Sequence, residues 1–136
     1  MRILIADDDP VYRELLTSLL SEWSLDVVAV TNGRDAVQAL ARDGTFQLAI
    51  LDWMMPELDG YQVCRQLRQQ GDYDDLYILI VTGSPKEQML QVILAGADDY
   101  LVKPFDPLDL KIRVRNAIRL VELKQELRQL RQAAGG

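Results

Sequence analysis

The reactive side chains of this 136-residue sequence stand where apolar runs break off. Asp7 and Asp8 follow Ile3-Leu4-Ile5-Ala6, Asp52 follows Leu48-Ala49-Ile50-Leu51, Thr82 closes the run from Tyr77, and Lys103 follows Tyr100-Leu101-Val102. A lone aspartate at a strand end usually caps a turn. If these runs are parallel strands and the first lies beside the third, however, three carboxylates converge at one sheet edge. Like charges that close raise a pKa or destabilise the fold unless a cation lies between them. Lys103 answers one charge. A hard divalent ion, Mg²⁺ or Mn²⁺, answers the others, because only oxygen donors are on offer. In such a pocket Asp52 could act as a nucleophile toward a phosphoryl group and form an acyl phosphate. Asp7 and Asp8 would hold the ion, Lys103 would pair with Asp52 or a phosphoryl oxygen, and the Thr82 hydroxyl would bond another.

The elements that must position these groups alternate. Arg2 to Ala6 is apolar without a period of two, as in a strand covered on both faces. Asp9-Pro10 opens a helix, for which Val11, Leu15, Leu19 and Trp23 give an apolar face at spacings of four. Asp26 to Val30 forms a second strand, and Ala36, Val37 and Leu40 the buried side of a second helix closed by Asp43-Gly44. The Phe46 to Asp52 strand runs into Pro56, and a third helix from about Gly60 to Gln70 carries Tyr61, Val63, Cys64 and Leu67. After the polar loop Gly71 to Asp75 comes a strand from Tyr77 to Thr82. A fourth helix from Pro85, with Met89, Val92 and Ile93, stops at Gly96 ahead of a short strand Tyr100 to Val102. Five strands alternating with helices imply an α/β parallel sheet with right-handed crossovers and helices on both faces. The last helix runs from about Pro107 to Gln132. Its Leu120, Leu123, Leu127 and Leu130, spaced three, four and three apart, read as a helical linker or a short dimer seam of two heptads. Ala133 to Gly136 reads as a flexible or truncated end.

Composition excludes several classes. The chain has no histidine, which removes His-dependent nucleophile systems, His-ligated metals and a phosphohistidine of its own. One cysteine, Cys64, allows no internal disulfide and fits a reducing cytoplasm. No signal peptide and no apolar run of membrane-spanning length is evident, so a soluble protein without a membrane partner is expected. The net charge of −6 is uneven: residues 1 to 110 hold 8 Lys/Arg against 19 Asp/Glu, and residues 111 to 136 hold 7 against 2. An acidic globular part without a basic helix-turn-helix segment argues against nucleic acid binding by this chain alone. Neither GxxxxGK[ST] nor GxGxxG after the first strand is present.

Four segments together resemble the response-regulator receiver domains of two-component signalling, chemotaxis regulators among them. They are Ile3 to Pro10 (ILIADDDP), Leu51 to Gly60 (LDWMMPELDG), Ile80 to Gly83 (IVTG) and Gly96 to Phe105 (GADDYLVKPF). The resemblance covers about residues 1 to 120, leaving 121 to 136 as a helical linker or short coiled-coil extension. It implies a flavodoxin-like doubly wound five-stranded sheet of order 2-1-3-4-5. It implies Asp52 as phosphoacceptor, with Lys103 and Thr82 assisting. Asp7, Asp8, Asp52 and the backbone carbonyl of Met54 would be Mg²⁺ or Mn²⁺ positions. Thr82 and Tyr100 would be switch residues, and a cis peptide before Pro104 would aim Lys103 into the pocket. The implied partner is a phosphohistidine on a sensor histidine kinase or histidine phosphotransfer protein in a phosphorelay. The protein would catalyse its own phosphorylation and dephosphorylation without turning over a separate substrate, and would signal through the fourth helix, fifth strand and last helix to an output domain or a second copy. Family members often carry a polar side chain where this chain has Met54, which predicts slow self-dephosphorylation here. Phosphatases and mutases that pass through aspartyl phosphate usually need a second acid at that position. The alternative reading is a receiver-like docking module that works without phosphorylation.

Overall fold

A computed structural model describes residues 1–135; Gly136, the tip of the flexible or truncated end expected from the sequence, lies outside the described residues. The elements alternate as β1 (Arg2–Ala6), α1 (Pro10–Glu22), β2 (Asp26–Val30), α2 (Gly33–Arg42), β3 (Phe46–Asp52), α3 (Gly60–Gln70), β4 (Tyr77–Thr82), α4 (Pro85–Ala95), β5 (Asp99–Val102) and α5 (Pro107–Gly135). All pairings are parallel in the order β2-β1-β3-β4-β5. This is the flavodoxin-like sheet expected from the sequence, with an extended last helix.

The central strands lack alternation because both of their faces are covered. Leu4, Ala6, Ala49, Leu51, Ile78 and Ile80 point into a layer closed by α2, α3 and α4. Their neighbours Ile3, Ile5, Leu48, Ile50, Leu79 and Val81 point into a second layer closed by α1 and α5. Pleating sends successive side chains to opposite faces, so an uninterrupted apolar run is what two covered faces require.

Helix boundaries follow local chemistry. Asp9, Asn32 and Asp59 accept hydrogen bonds from the first-turn amides of Val11, Asp35 and Gln62, and Gln62 returns one to the Asp59 amide. Gly71 and Gly96, at φ 78° and 94°, end α3 and α4 in the left-handed conformation.

Two expected helix faces are corrected. In α1 the buried residues are Leu16 and Leu20, with Leu19 and Trp23 packed at the margin, whereas Val11 is 71% exposed and Leu15 also faces outward. In α4 only Val92 of the expected trio is buried, together with Ala95, while Met89 and Ile93 are exposed. Both helices carry more apolar residues than one face needs, so spacing alone selects the wrong stripe. α5 continues to Gly135, three residues past the expected Gln132, and β5 begins one residue earlier than expected, at Asp99.

Candidate functional site

Register brings the reactive strand ends together. Ala6 lies opposite Leu51, Asp52 opposite Val81, and Thr82 opposite Val102, so the residues that end β1, β3, β4 and β5 share one edge. Backbone bonds extend the ladders just past the strands: Asp7 donates to Val30 O (3.2 Å), Trp53 to Val81 O (2.8 Å) and Lys103 to Thr82 O (2.8 Å). The carboxylates are thus presented by a rigid sheet rather than by a mobile loop.

Carboxylate oxygens of Asp7, Asp8 and Asp52 lie within 4.8 Å of one another. Asp7 and Asp52 are 1% and 7% exposed, and Asp8 is open to solvent. Lys103 Nζ donates to Asp7 Oδ2 at 3.1 Å and to Asp52 Oδ2 at 3.2 Å, and it enters over a cis Lys103–Pro104 peptide. The other Asp7 oxygen accepts from the Asp9 amide at 2.9 Å, and Arg13 Nη1 donates to the Asp7 backbone carbonyl at 2.9 Å.

Burial, followed by the charge of Asp7, raises the pKa of Asp52 to about 6, with Lys103 pulling the other way. For Lys103 burial favours loss of the proton, but the two carboxylates outweigh it and its pKa is raised. One ammonium therefore does not neutralise the cluster. Three carboxylates with oxygen donors only are the donor set that suits a hard dication.

Gly60 lets the chain turn close behind Asp52. Its amide donates to Trp53 O at 3.0 Å, and a Cβ placed there would sit 2.6 Å from the Asp52 backbone oxygen. The remaining residues singled out in the sequence lie around this centre. The Thr82 hydroxyl is buried, donates to Gln88 Oε1 in α4 and accepts from the Ser84 amide at 3.1 Å. Tyr100 is half-buried on β5 with the Arg113 guanidinium 5.7 Å from its ring centre, and Arg113 is itself paired with Asp99 and Asp109. Met54 follows β3 with its side chain 68% exposed.

Sequence reasoning missed two residues that touch the site. Tyr12 places its ring 4.1 Å from Lys103 Nζ and packs on Phe105. Gln88 holds the Thr82 hydroxyl. Tyr12 could have been found from its place in the first turn of the helix after Asp7 and Asp8; Gln88 carries no such signal.

A parallel sheet of order 2-1-3-4-5 with an acid cluster and a lysine at its C-terminal edge defines a two-component signalling receiver. The response regulator receiver domain model matches residues 3–115, and the chain belongs to that family. Response regulator MprA of Mycobacterium leprae is 45% identical over 120 residues, 88% of this chain and 51% of that protein. The probable transcriptional regulator ycf27 of Porphyridium aerugineum is 37% identical over 121 residues, 89% of this chain and 49% of that one. The chain spans about half the length of the curated relatives it matches.

Among solved structures, a putative response regulator from Chloroflexus aurantiacus J-10-fl superposes with a TM-score of 0.81 at 33% identity, over 87% of this chain and 97% of that one. The receiver domain of sensor histidine kinase PA1611 from Pseudomonas aeruginosa PAO1, solved with a magnesium ion coordinated in its active-site cleft, gives 0.78 at 28% identity, over 89% and 97%. Among the described residues no helix is long and apolar enough to cross a membrane.

Proposed function

We propose that this chain accepts a phosphoryl group on Asp52 from a phosphohistidine of a sensor histidine kinase or a histidine phosphotransfer protein. The observation that carries this reading is the single ammonium of Lys103 shared between Asp7 and Asp52, with Asp8 completing an under-neutralised acid cluster. A carboxylate with a pKa of about 6 is ionised at neutral pH yet more basic than an ordinary aspartate, which favours nucleophilic attack. An Asp52 oxygen attacks phosphorus as the P–N bond to the donor imidazole breaks. The imidazole nitrogen keeps the electron pair and takes a proton from water, and an acyl phosphate remains. Water attack at phosphorus later returns the carboxylate and inorganic phosphate.

Asp7, Asp8, Asp52 and the Met54 carbonyl would hold Mg²⁺ or Mn²⁺, which when bound neutralises charge on the phosphoryl oxygens. Lys103 exchanges its bond to Asp52 for one to a phosphoryl oxygen while keeping Asp7. Thr82 leaves Gln88 to donate to another phosphoryl oxygen, and the space it vacates lets the Tyr100 ring turn inward. That movement alters the surface of α4, β5 and α5. α5 would carry the change to an output domain or a second copy, in keeping with the regulator names of relatives twice as long. Cytoplasmic residence follows from this partnership with a kinase.

The test is incubation with acetyl phosphate and Mg²⁺, read by intact mass. Wild type should gain one phosphoryl unit and Asp52→Ala none. Equal labelling of the two, or no labelling of wild type by either acetyl phosphate or phosphoramidate, contradicts the proposal.

A further inference from the structure

The inward side of α5 is used up by the domain. Leu110, Val114, Ala117 and Val121 are buried against the sheet. One and two turns farther on, Lys124 and Arg128 line a groove of about 320 Å³ beneath the β3 and β4 starts, and Arg128 forms an ion pair with Asp75 in the α3–β4 loop. These contacts fix the helix's rotation about its own axis. At 3.6 residues per turn, the stripe of Leu120, Leu123, Leu127 and Leu130 is turned roughly 130° away from that attached side. The four side chains are 39%, 54%, 48% and 63% exposed.

We propose that this stripe pairs with the same stripe of a second copy of the chain in a parallel two-stranded coiled coil. Leu120 and Leu127 form the a layers and Leu123 and Leu130 the d layers. Charge selects both the occupant and its direction. In a parallel pair Glu126, at g, faces Arg131, at e, of the second copy, and symmetry repeats the contact. An antiparallel pair in the matching register sets Lys124 against Lys124 and Glu126 against Glu126. The parallel arrangement does bring Arg119 toward Lys124. Lys124, however, is half-buried at the groove it shares with Asp43 and Asp75, where its charge is already answered. Arg128 lies off the seam, so the Asp75–Arg128 pair and the dimer are compatible. The inference rests on the exposure and charge of α5 and is independent of the phosphoryl chemistry.

Sedimentation of the full chain over two decades of micromolar concentration, without phosphoryl donor, tests it. Wild type should pass from monomer to dimer. Leu123→Lys combined with Leu127→Lys should weaken dissociation at least tenfold in concentration, with an unchanged circular dichroism spectrum because both sites are exposed. Glu126→Arg should weaken the dimer several-fold, and adding Arg131→Glu should restore it. Leu127→Cys should form a disulfide-linked dimer on mild oxidation, since a parallel seam sets residue 127 against itself and Cys64 is buried. A wild type that stays monomeric throughout, a dimer indifferent to the leucine changes, or one strengthened by Glu126→Arg overturns the proposal.

Discussion

Replacing Asp52 by Asn should stabilise the metal-free protein above pH 6, although it removes the residue on which the proposed function depends. In the folded state Asp52 holds its proton up to about pH 6, against an ordinary value of 3.8. Between these two values the folded state binds more protons than the unfolded state, so stability falls as pH rises; above about 6 both states are ionised and the loss is complete. A gap of about two units corresponds to about 3 kcal/mol at most. The chain should therefore be most stable, with respect to this group, near pH 4 and least stable above pH 6. Asp52→Asn removes that dependence. Urea unfolding in EDTA from pH 4.5 to 8 should give an Asn variant that matches wild type at the acid end and exceeds it by about 1 to 3 kcal/mol at pH 7.5, or on the order of 5 to 10 °C in Tm. Mg²⁺ at ten times its dissociation constant should return about 1.4 kcal/mol to wild type and much less to the variant. Two curves that run parallel across pH, or a variant less stable than wild type at pH 7.5, would refute the claim that Asp52 is held in an under-neutralised cluster.

Other outcomes follow from the same geometry. Lys103→Met removes the cation shared by Asp7 and Asp52 and should lower stability at pH 7.5 by about 1 to 3 kcal/mol in EDTA, with labelling by acetyl phosphate slowed at least tenfold. Met54→Asn puts an amide at an exposed position two residues from Asp52 and should speed decay of the phosphorylated form several-fold, followed by intact mass; decay no faster than wild type rejects a role for that side chain. Gly60→Ala forces a Cβ against the Asp52 backbone carbonyl and should cost about 2 kcal/mol in urea unfolding, so an unchanged midpoint would mean that the β3–α3 loop yields freely.

Much of this molecule is legible in its sequence because the chemistry coincides with punctuation. The acids and the lysine stand immediately after runs such as Ile3-Leu4-Ile5-Ala6, and a parallel sheet brings such positions to one edge whatever the details of the helices. The buried stripes of α1 and α4 were not legible in the same way. Leu15-Leu16 and Leu19-Leu20 offer two apolar faces about 100° apart, and only the position of the sheet decides that Leu16 and Leu20 go inside. The same holds for Ile93 beside Val92. Contacts across elements, Gln88 to Thr82 and Tyr12 to Lys103, depend on how α4 and α1 sit on the sheet, which no local pattern records. The direction in which the α5 leucines face also needed the structure, since it is fixed by Val121 and by the Asp75–Arg128 pair.

Borohydride reduction of the protein after incubation with acetyl phosphate and Mg²⁺, followed by peptide mass mapping, tests the central claim most directly, because it converts an aspartyl phosphate to homoserine at the residue that carried it. Homoserine at position 52 alone, and none when Mg²⁺ is withheld by EDTA, is the predicted result. Homoserine at position 7 or 8, or at no position in a protein that had taken up phosphate, would contradict it.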